Sequence, residues 1–560
     1  MSAKKSLKRL SLNELKRLIE VARGLKRADL VVKRAEVVNV LTEEIYTADI
    51  AICNGLIAGI GNYSGIKEIN AEGLYAVPGL IDAHTHIEMS MLTLSEFARV
   101  VVPRGTTAVI ADPHEIANVL GKDGIKLILE ESKHVPLRLY CMIPSCVPSS
   151  PLETSGAKID VEEIKELLEF DNVLGLAEVM NFPGVLNCDD EILAKVLSCD
   201  LADGHCPKLS GRDLNAYVAA GIRSDHESTE LSEAKEKLRL GMRIMIREGS
   251  AARNLNALKD LAGNRYTMLV TDGDRDVVDI LKEGYLDYVF RRAVEEGIDE
   301  IKALQMLTLN PAEYFGLNLG LIAPGRFADL VLLKDFRDFE VSMVLINGKI
   351  PEFKKYSYPK WAKRTVKAKK ISPKDIELKT GKVRIIEVYD GEIVTGEVVE
   401  YVSGIDVKRD ILKAVVVERY GKGNIGKAYV RGFGLKRGAI AQTIAHDAHN
   451  IVAVGASDEE ICRAVNRVIE IQGGIVVADN GEIKELRLEI AGLMSDERAE
   501  VVAERIEKIR NKIKELGCKL KSPIITLSFI ALPVIPKLKV TDLGLVDVER
   551  FEVVDVVVEG

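Results

Sequence analysis

DGHCPKLSGRDLNAYVAAGIRSDHE, residues 203–227, contains one complete structural unit. An apolar run ends at Asp203-Gly204-His205, a helix-like segment follows over 210–219, and a second run ends at Ser224-Asp225-His226-Glu227. Strand, helix and strand in that order make a crossover, so the two strands run parallel. A histidine stands at the carboxyl end of each.

The same unit repeats on both sides. Apolar runs end at His84-Thr85-His86, Ala111-Asp112-Pro113-His114-Glu115, Pro144-Ser145-Cys146 and Glu178-Val179-Met180-Asn181 before it, and at Arg247-Glu248-Gly249-Ser250 and Thr271-Asp272-Gly273 after it. Helix-like segments over 189–197, 231–240 and 251–261 separate several of them. Eight such strands predict an α/β fold, a (β/α)8 TIM-like barrel over 76–319. Catalytic groups in that fold gather at the carboxyl ends of the strands, and most strands here are apolar until they reach that end.

The flanks read differently. Short β-branched runs at 28–32, 37–40, 45–52 and 56–60, with a second Ala-Asp-Leu-Val at 328–331 and a strand over 341–346 before Asn347-Gly348, predict one composite small β-sandwich domain from 28–75 plus 320–350. Ser11-x-x-Glu14 is a capping box that opens a helix within an N-terminal segment, 1–27. From 351 to 560 a lysine-rich linker or exposed arm (359–370) leads to a C-terminal α+β domain, with strands at 411–417, 427–430 and 474–478 and helices at 458–471 and 495–514.

Bulk composition narrows the function classes. With 560 residues the chain exceeds one core, and 47% hydrophobic with 29% charged residues is globular composition. A net charge of −8 with mixed signs gives no footing for nucleic acid or an anionic membrane. No apolar run is long enough to span a bilayer, and the basic start lacks an apolar signal core. Eight cysteines without CxxC spacing fit a reducing cytoplasm better than a disulfide framework.

The chemistry-bearing residues sit at the strand ends. On an extended strand His84 and His86 share a face. With His205 and His226, four of the chain's eight histidines stand at the ends of strands one, five and six, joined by Glu178 and Asp272 at strands four and eight. Any one of them alone is more often structural, but the convergence predicts a metal site. Nitrogen and oxygen donors without thiolate suit Zn, Mn or Fe(II). Six donors exceed one tetrahedral site, so two metals with a carboxylate between them are expected. Asp272 would then move the proton of an acidified water to the leaving group.

The order HxH, Glu, His, His, Asp on such a barrel resembles the amidohydrolase superfamily. More closely, the chain is similar to the adenine deaminase family through PGLIDAHTHIEMSM (78–91), RGTTAVIADPHEIANVLG (104–121), GLAEVMNFPGV (175–185), the 203–227 block, MIREGSAARNL (245–255), NPAEYFGL (310–317) and AHDAHNIVAVG (445–455). The resemblance implies a homo-oligomeric purine-salvage hydrolase with two Mn(II) or Fe(II) ions. It assigns His84, His86 and Asp272 to one metal, His205 and His226 to the other, and Glu178 to both. Attack of water at C6 of adenine needs a ring nitrogen to be protonated, and Asp112, His114 and Glu115 are the candidates for that acid. Glu88, Arg247 and Glu248 are expected to support ligands or substrate, and His446 and His449 to border the site.

Two departures from the family pattern concern base recognition: Gly273 stands where a second acid is expected, with Asp274 next, and Tyr285 and Tyr288 stand where histidines are expected. Gly421-Lys422-Gly423-Asn424-Ile425-Gly426 matches a phosphate-loop pattern but runs into another strand, which predicts a hairpin turn. Two rival readings are a cyclic-amide hydrolase of the same superfamily and a non-catalytic scaffold on the same barrel. The cytidine-type zinc signature H-x-E…P-C-x-x-C is absent.

Overall fold

The computed structural model describes residues 10–558, so the first nine residues of the 1–27 segment lie outside the described residues. A helix spans Leu12–Ala22, and its capping box is formed as expected: Glu14 N–H donates to the Ser11 hydroxyl, and Ser11 N–H donates to the Glu14 carboxylate at 2.8 Å.

All eight barrel strands are present: Leu80–Thr85, Thr106–Ala111, Arg138–Ile143, Val173–Val179, Ala202–Gly204, Ser224–Asp225, Arg243–Arg247 and Thr267–Val270. The first five form one parallel ladder and the last three another. Two seams close the ring, through Arg223 N–H to the Ala202 carbonyl (3.0 Å) and Asp272 N–H to the His84 carbonyl (3.1 Å). Side-chain alternation then sorts the apolar residues. Ile81, Ala83, Ala108, Ile110, Met142, Ala177, Met245 and Met268 pack into one cluster, joined by Phe315 and Leu317. Leu80, Val109, Leu139, Leu176, Ile244 and Leu269 belong to a second cluster, shared with the surrounding helices. The interior is thus a packed core, and the histidines and the two carboxylates of the expected metal site appear where the strands end.

Strands five and six are the shortest, and their backbones approach closely at Gly204. A Cβ at Gly204 would lie 2.3 Å from the Ser224 carbonyl oxygen, so only glycine fits there. The two strand ends are then tied from behind by Asp225, which accepts from Cys206 N–H (3.0 Å) and meets Lys237 Nζ at 2.8 Å, both side chains fully buried.

Outside the barrel, seven strands form one hydrogen-bonded array that draws on both flanks. Leu330–Asp335 pairs antiparallel with Tyr75–Pro78, with Leu330 opposite Pro78. The runs at 28–32 and 37–40 are one strand, Ala28–Asn39, rather than two. It kinks at a bulge between Val32 and Ala35, where Arg34 takes φ +55° and its N–H donates to Asp49 (3.0 Å). That kink lets one edge serve two parallel partners, Gly65–Asn70 along its first half and Tyr75–Pro78 along its second.

The C-terminal region is built on an eight-stranded sheet flanked by the helices Asp458–Ile471 and Ala499–Glu515. Residues 359–370 are not a free arm. Ala362, Thr365 and Val366 are buried, and the Ala362 carbonyl accepts from Ala491 N–H at 2.7 Å, so backbone pairing outweighs the local lysine content. The glycine-rich segment is the predicted hairpin turn, joining Leu412–Val417 to Ile425–Arg431. Its N–H groups are already occupied: those of Tyr420, Gly421, Lys422 and Gly423 all donate to the buried Glu418 carboxylate. A single apolar cluster runs from the barrel into this region, including Ile116 and Val147 on one side and Ile444 and Ile524 on the other.

Candidate metal centre

His84 and His86 stand at the end of strand one, with ring centroids 4.9 Å apart and both side chains buried. His86 Nδ1 donates to the Asp112 carbonyl at 2.9 Å, so in the neutral ring the proton sits on Nδ1 and Nε2 is the nitrogen available to a metal. That Nε2 lies 3.3 Å from Asp272 Oδ1, and His84 Nε2 lies 3.2 Å from the same oxygen. His84 Nε2 is buried with no hydrogen-bond partner. A buried, orphaned imidazole nitrogen is costly unless something binds it, and a cation among carboxylates answers that need.

Glu178 closes the arrangement. Its Oε1 faces His86 Nε2 (3.6 Å), and its Oε2 faces His205 Nδ1 (2.8 Å) and His226 Nε2 (3.1 Å). The two oxygens of one carboxylate therefore address two donor groups. His84, His226 and Asp272 form one set of atoms within metal-holding reach of one another, Glu178, His205 and His226 a second, and His86, Asp112, His114 and Glu178 a third. The donors fit divalent metal, with nitrogen and oxygen only and no thiolate. The field is also right for a cation. Burial opposes charge on His226, but Asp272, Glu178 and Glu227 raise its pKa to about 9. His86 is likewise raised to about 10 against burial and His114.

The other expected residues divide into those at the centre and those behind it. Arg247 Nη1 meets Asp272 Oδ2 at 3.1 Å and pairs with Glu227. Glu227 is a residue that sequence reasoning passed over, although it directly follows His226. Asp112 Oδ2 lies 3.2 Å from His114 Nδ1, and its Oδ1 is buried and unpartnered. Glu88 accepts from Ile116 N–H (3.2 Å) and feels the charge of His86; burial, with Glu115 nearby, raises its carboxyl to about 7. Glu248 turns away to Arg292, 3.5 Å distant, and stands apart from the donor groups.

Both sequence departures have structural reasons. Gly273 has φ +67°, and a Cβ there would lie 2.7 Å from the His86 carbonyl oxygen and 2.9 Å from its Cβ. No side chain fits, and the acid one residue on, Asp274, instead accepts from Ala251 and Ala252 N–H at 2.7 and 2.6 Å. Tyr285 is a buried knot beneath the donors, 2.6 Å from Asp82 and 3.0 Å from both Thr85 and Thr271. Tyr288 stacks under Arg275, 3.8 Å from its ring centre.

Residues 75–350 match the amidohydrolase family, and residues 388–552 match the adenine deaminase C-terminal domain. The chain is 71% identical over 543 residues to an adenine deaminase of Archaeoglobus fulgidus, an alignment covering 97% of this chain and 98% of that one. The chain belongs to the adenine deaminase family. Other adenine deaminases are similar over comparable lengths, those of Dehalococcoides mccartyi at 45% (96% of this chain, 99% of that one) and Kosmotoga olearia at 46% (95% and 97%). A solved β-aspartyl dipeptidase from Fervidobacterium islandicum AW-1 covers 60% of this chain and 100% of its own at 18% identity and TM-score 0.45, a likeness too distant to bear on substrate. Membership in the adenine deaminase family places the 445–450 segment inside the matched C-terminal domain, and here it reaches the barrel. His446 Nδ1 lies 2.8 Å from Glu115 Oε1, and His449 Nε2 contacts Glu115 Oε2.

Proposed function

We propose that this chain hydrolyses adenine to hypoxanthine and ammonia with two divalent metal ions, manganese or ferrous iron. The observation that carries this reading is the near-full-length identity to adenine deaminases. The donor geometry supports it, since His84, His86, Glu178, His205, His226 and Asp272 all fall within groups of buried or half-buried nitrogen and oxygen donors. His84, His86 and Asp272 would hold one ion, His205 and His226 the other, and Glu178 both. When bound, the metals make water acidic enough to serve as a nucleophile near neutral pH.

The protein's own groups manage the protons. Water adds at C6 while a purine ring nitrogen gains a proton, and the C6–N bond then breaks as the amine takes up another and leaves as ammonia. Of the three candidates at strand two, Asp112 keeps a carboxylate oxygen without a hydrogen-bond partner, Oδ1, which supports it as the group that exchanges a proton with the ring. His114 lies beside Asp112, with Nδ1 3.5 Å from Glu178 Oε1, and Glu115 stands behind His114. Asp272, held by Arg247 and by its histidine neighbours, is the group placed to carry the second proton.

No helix among the described residues is long and apolar enough to cross a membrane, and the cysteines are free thiols. We place the enzyme in the cytoplasm, acting on a free small molecule as a homo-oligomer and on neither nucleic acid nor membrane. The test is direct: measure metal content of the purified protein together with hypoxanthine and ammonia released from adenine, before and after chelation. Two metals per chain and turnover restored by Mn(II) or Fe(II) are expected. Metal-replete protein inert toward adenine but active on a cyclic amide would transfer the reading to the rival hydrolase class.

A further inference from the structure

Glu115 follows the strand-two segment that carries Asp112 and His114, is buried, and among the described residues meets no cation of its own domain other than His114, whose Nε2 lies 3.4 Å from its Oε1. Its remaining contacts come from the other end of the chain, His446 on Oε1 and His449 on Oε2, all three side chains being buried. These three also form a group with metal-holding spacing. The tautomer of His449 decides between the two uses. Ala445 N–H donates to His449 Nδ1 (3.3 Å), so that nitrogen is the acceptor and Nε2 carries the proton. An Nε2–H gives its hydrogen to a carboxylate and has no lone pair for a metal.

The segment that carries the histidines is held firmly. His446 N–H donates to Ser528 Oγ (3.0 Å), Arg419 Nη1 donates to the His449 carbonyl (3.3 Å), and Asn450 Nδ2 donates to the Thr154 carbonyl (2.9 Å). His449 itself sits at φ +53°, a left-handed conformation unfavourable for a residue with a side chain. Such a conformation persists where the surroundings over-determine it, which is typical of functional positions.

We propose that His446 and His449 are positioning residues for the deaminase site: they clamp Glu115, Glu115 orients His114, and His114 aims Asp112 at the substrate. The C-terminal domain thereby completes the active site of the barrel. This rests on the adenine reading above for its turnover assay, though not for its structural one.

The nitrogen each histidine uses selects the variants. Gln mimics an Nε2–H and Asn an Nδ1–H, so His449→Gln and His446→Asn keep a donor that His449→Ala and His446→Ala remove. The alanine variants should lose about 10- to 100-fold in kcat, with KM for adenine, two metals per chain and Tm little changed, and the amide variants should recover most of the loss. Hydrogen exchange across 444–451 reads the clamp without turnover, and Glu115→Ala should accelerate it about tenfold or more. Unchanged exchange in Glu115→Ala overturns the clamp even if wild-type protein proves inert toward adenine, which would sink only the substrate reading. Alanine variants with normal kcat, or losses that merely follow a fall in Tm, also overturn it. So does a third metal per wild-type chain that disappears in His449→Gln, which would make the cluster a cation site.

Discussion

Arg247 Nη1 lies 3.1 Å from Asp272 Oδ2, on the side of that carboxylate away from the histidines at Oδ1. One oxygen is thus left to the donor cluster while the other is fixed by a guanidinium that also pairs with Glu227. Arg247→Ala would leave Asp272 free to rotate and Glu227 without its partner. A fall in kcat of about 10- to 100-fold is expected, read by ammonia release on protein whose metal content is measured in parallel. Arg247→Lys should recover part of it, because both carboxylates meet one nitrogen, Nη1, that an ammonium can replace, whereas the Nε–H donated to Asn254 Oδ1 (3.2 Å) is lost.

Glu178 offers separate oxygens to the two donor groups, so it is the residue whose loss should affect both metals. Glu178→Gln keeps the shape but turns one end into a poor ligand. We expect a loss of activity of about three orders of magnitude or more, with metal content below two per chain. Near-normal turnover in this variant would rule out a shared carboxylate.

Lys539 gives a pH prediction independent of the metals. It is fully buried, among the described residues its side-chain nitrogen meets only the carbonyls of Ile393 and Phe529 (2.9 and 3.0 Å), and burial lowers its pKa to about 7. Between that value and the ordinary lysine range near 10.4, the unfolded chain holds a proton that the folded chain lacks. Stability therefore rises with pH across that window, and the penalty is largest at and below its lower end. Lys539→Met should raise Tm at pH 7 and flatten the climb between about pH 7 and 10, which thermal unfolding at several pH values will show. A wild-type Tm that does not rise across this range would contradict a proton-free Lys539.

Local periodicity made most of this molecule readable. Each barrel strand is an apolar run with its own polar end, so the HxH pair, Glu178, His205, His226 and Asp272 could be placed without a view of the fold. The resemblance then supplied their division between two metals. What could not be read depends on distant partners. Nothing near Glu115 announces His449, 334 residues away. Arg34 gives no local sign of the bulge, which Asp49 pins from the neighbouring strand. The 359–370 segment looked solvated because its lysines are visible in the sequence, whereas the backbone edge that covers it is not. Gly273 was legible only as an anomaly, since its cause is the backbone of His86 lying directly behind it.

The strand Tyr75–Pro78 runs on through Gly79 into barrel strand one, yet its antiparallel partner is Leu330–Asp335. During synthesis the first of these leaves the ribosome long before the second. Its free edge must therefore wait, unpaired, while the whole barrel is made. The small sheet then acts as a clasp that can fasten only once all eight strands have been delivered. A nascent chain stalled before residue 330 would keep that edge open to a second copy or to a chaperone, and release past residue 345 would close it.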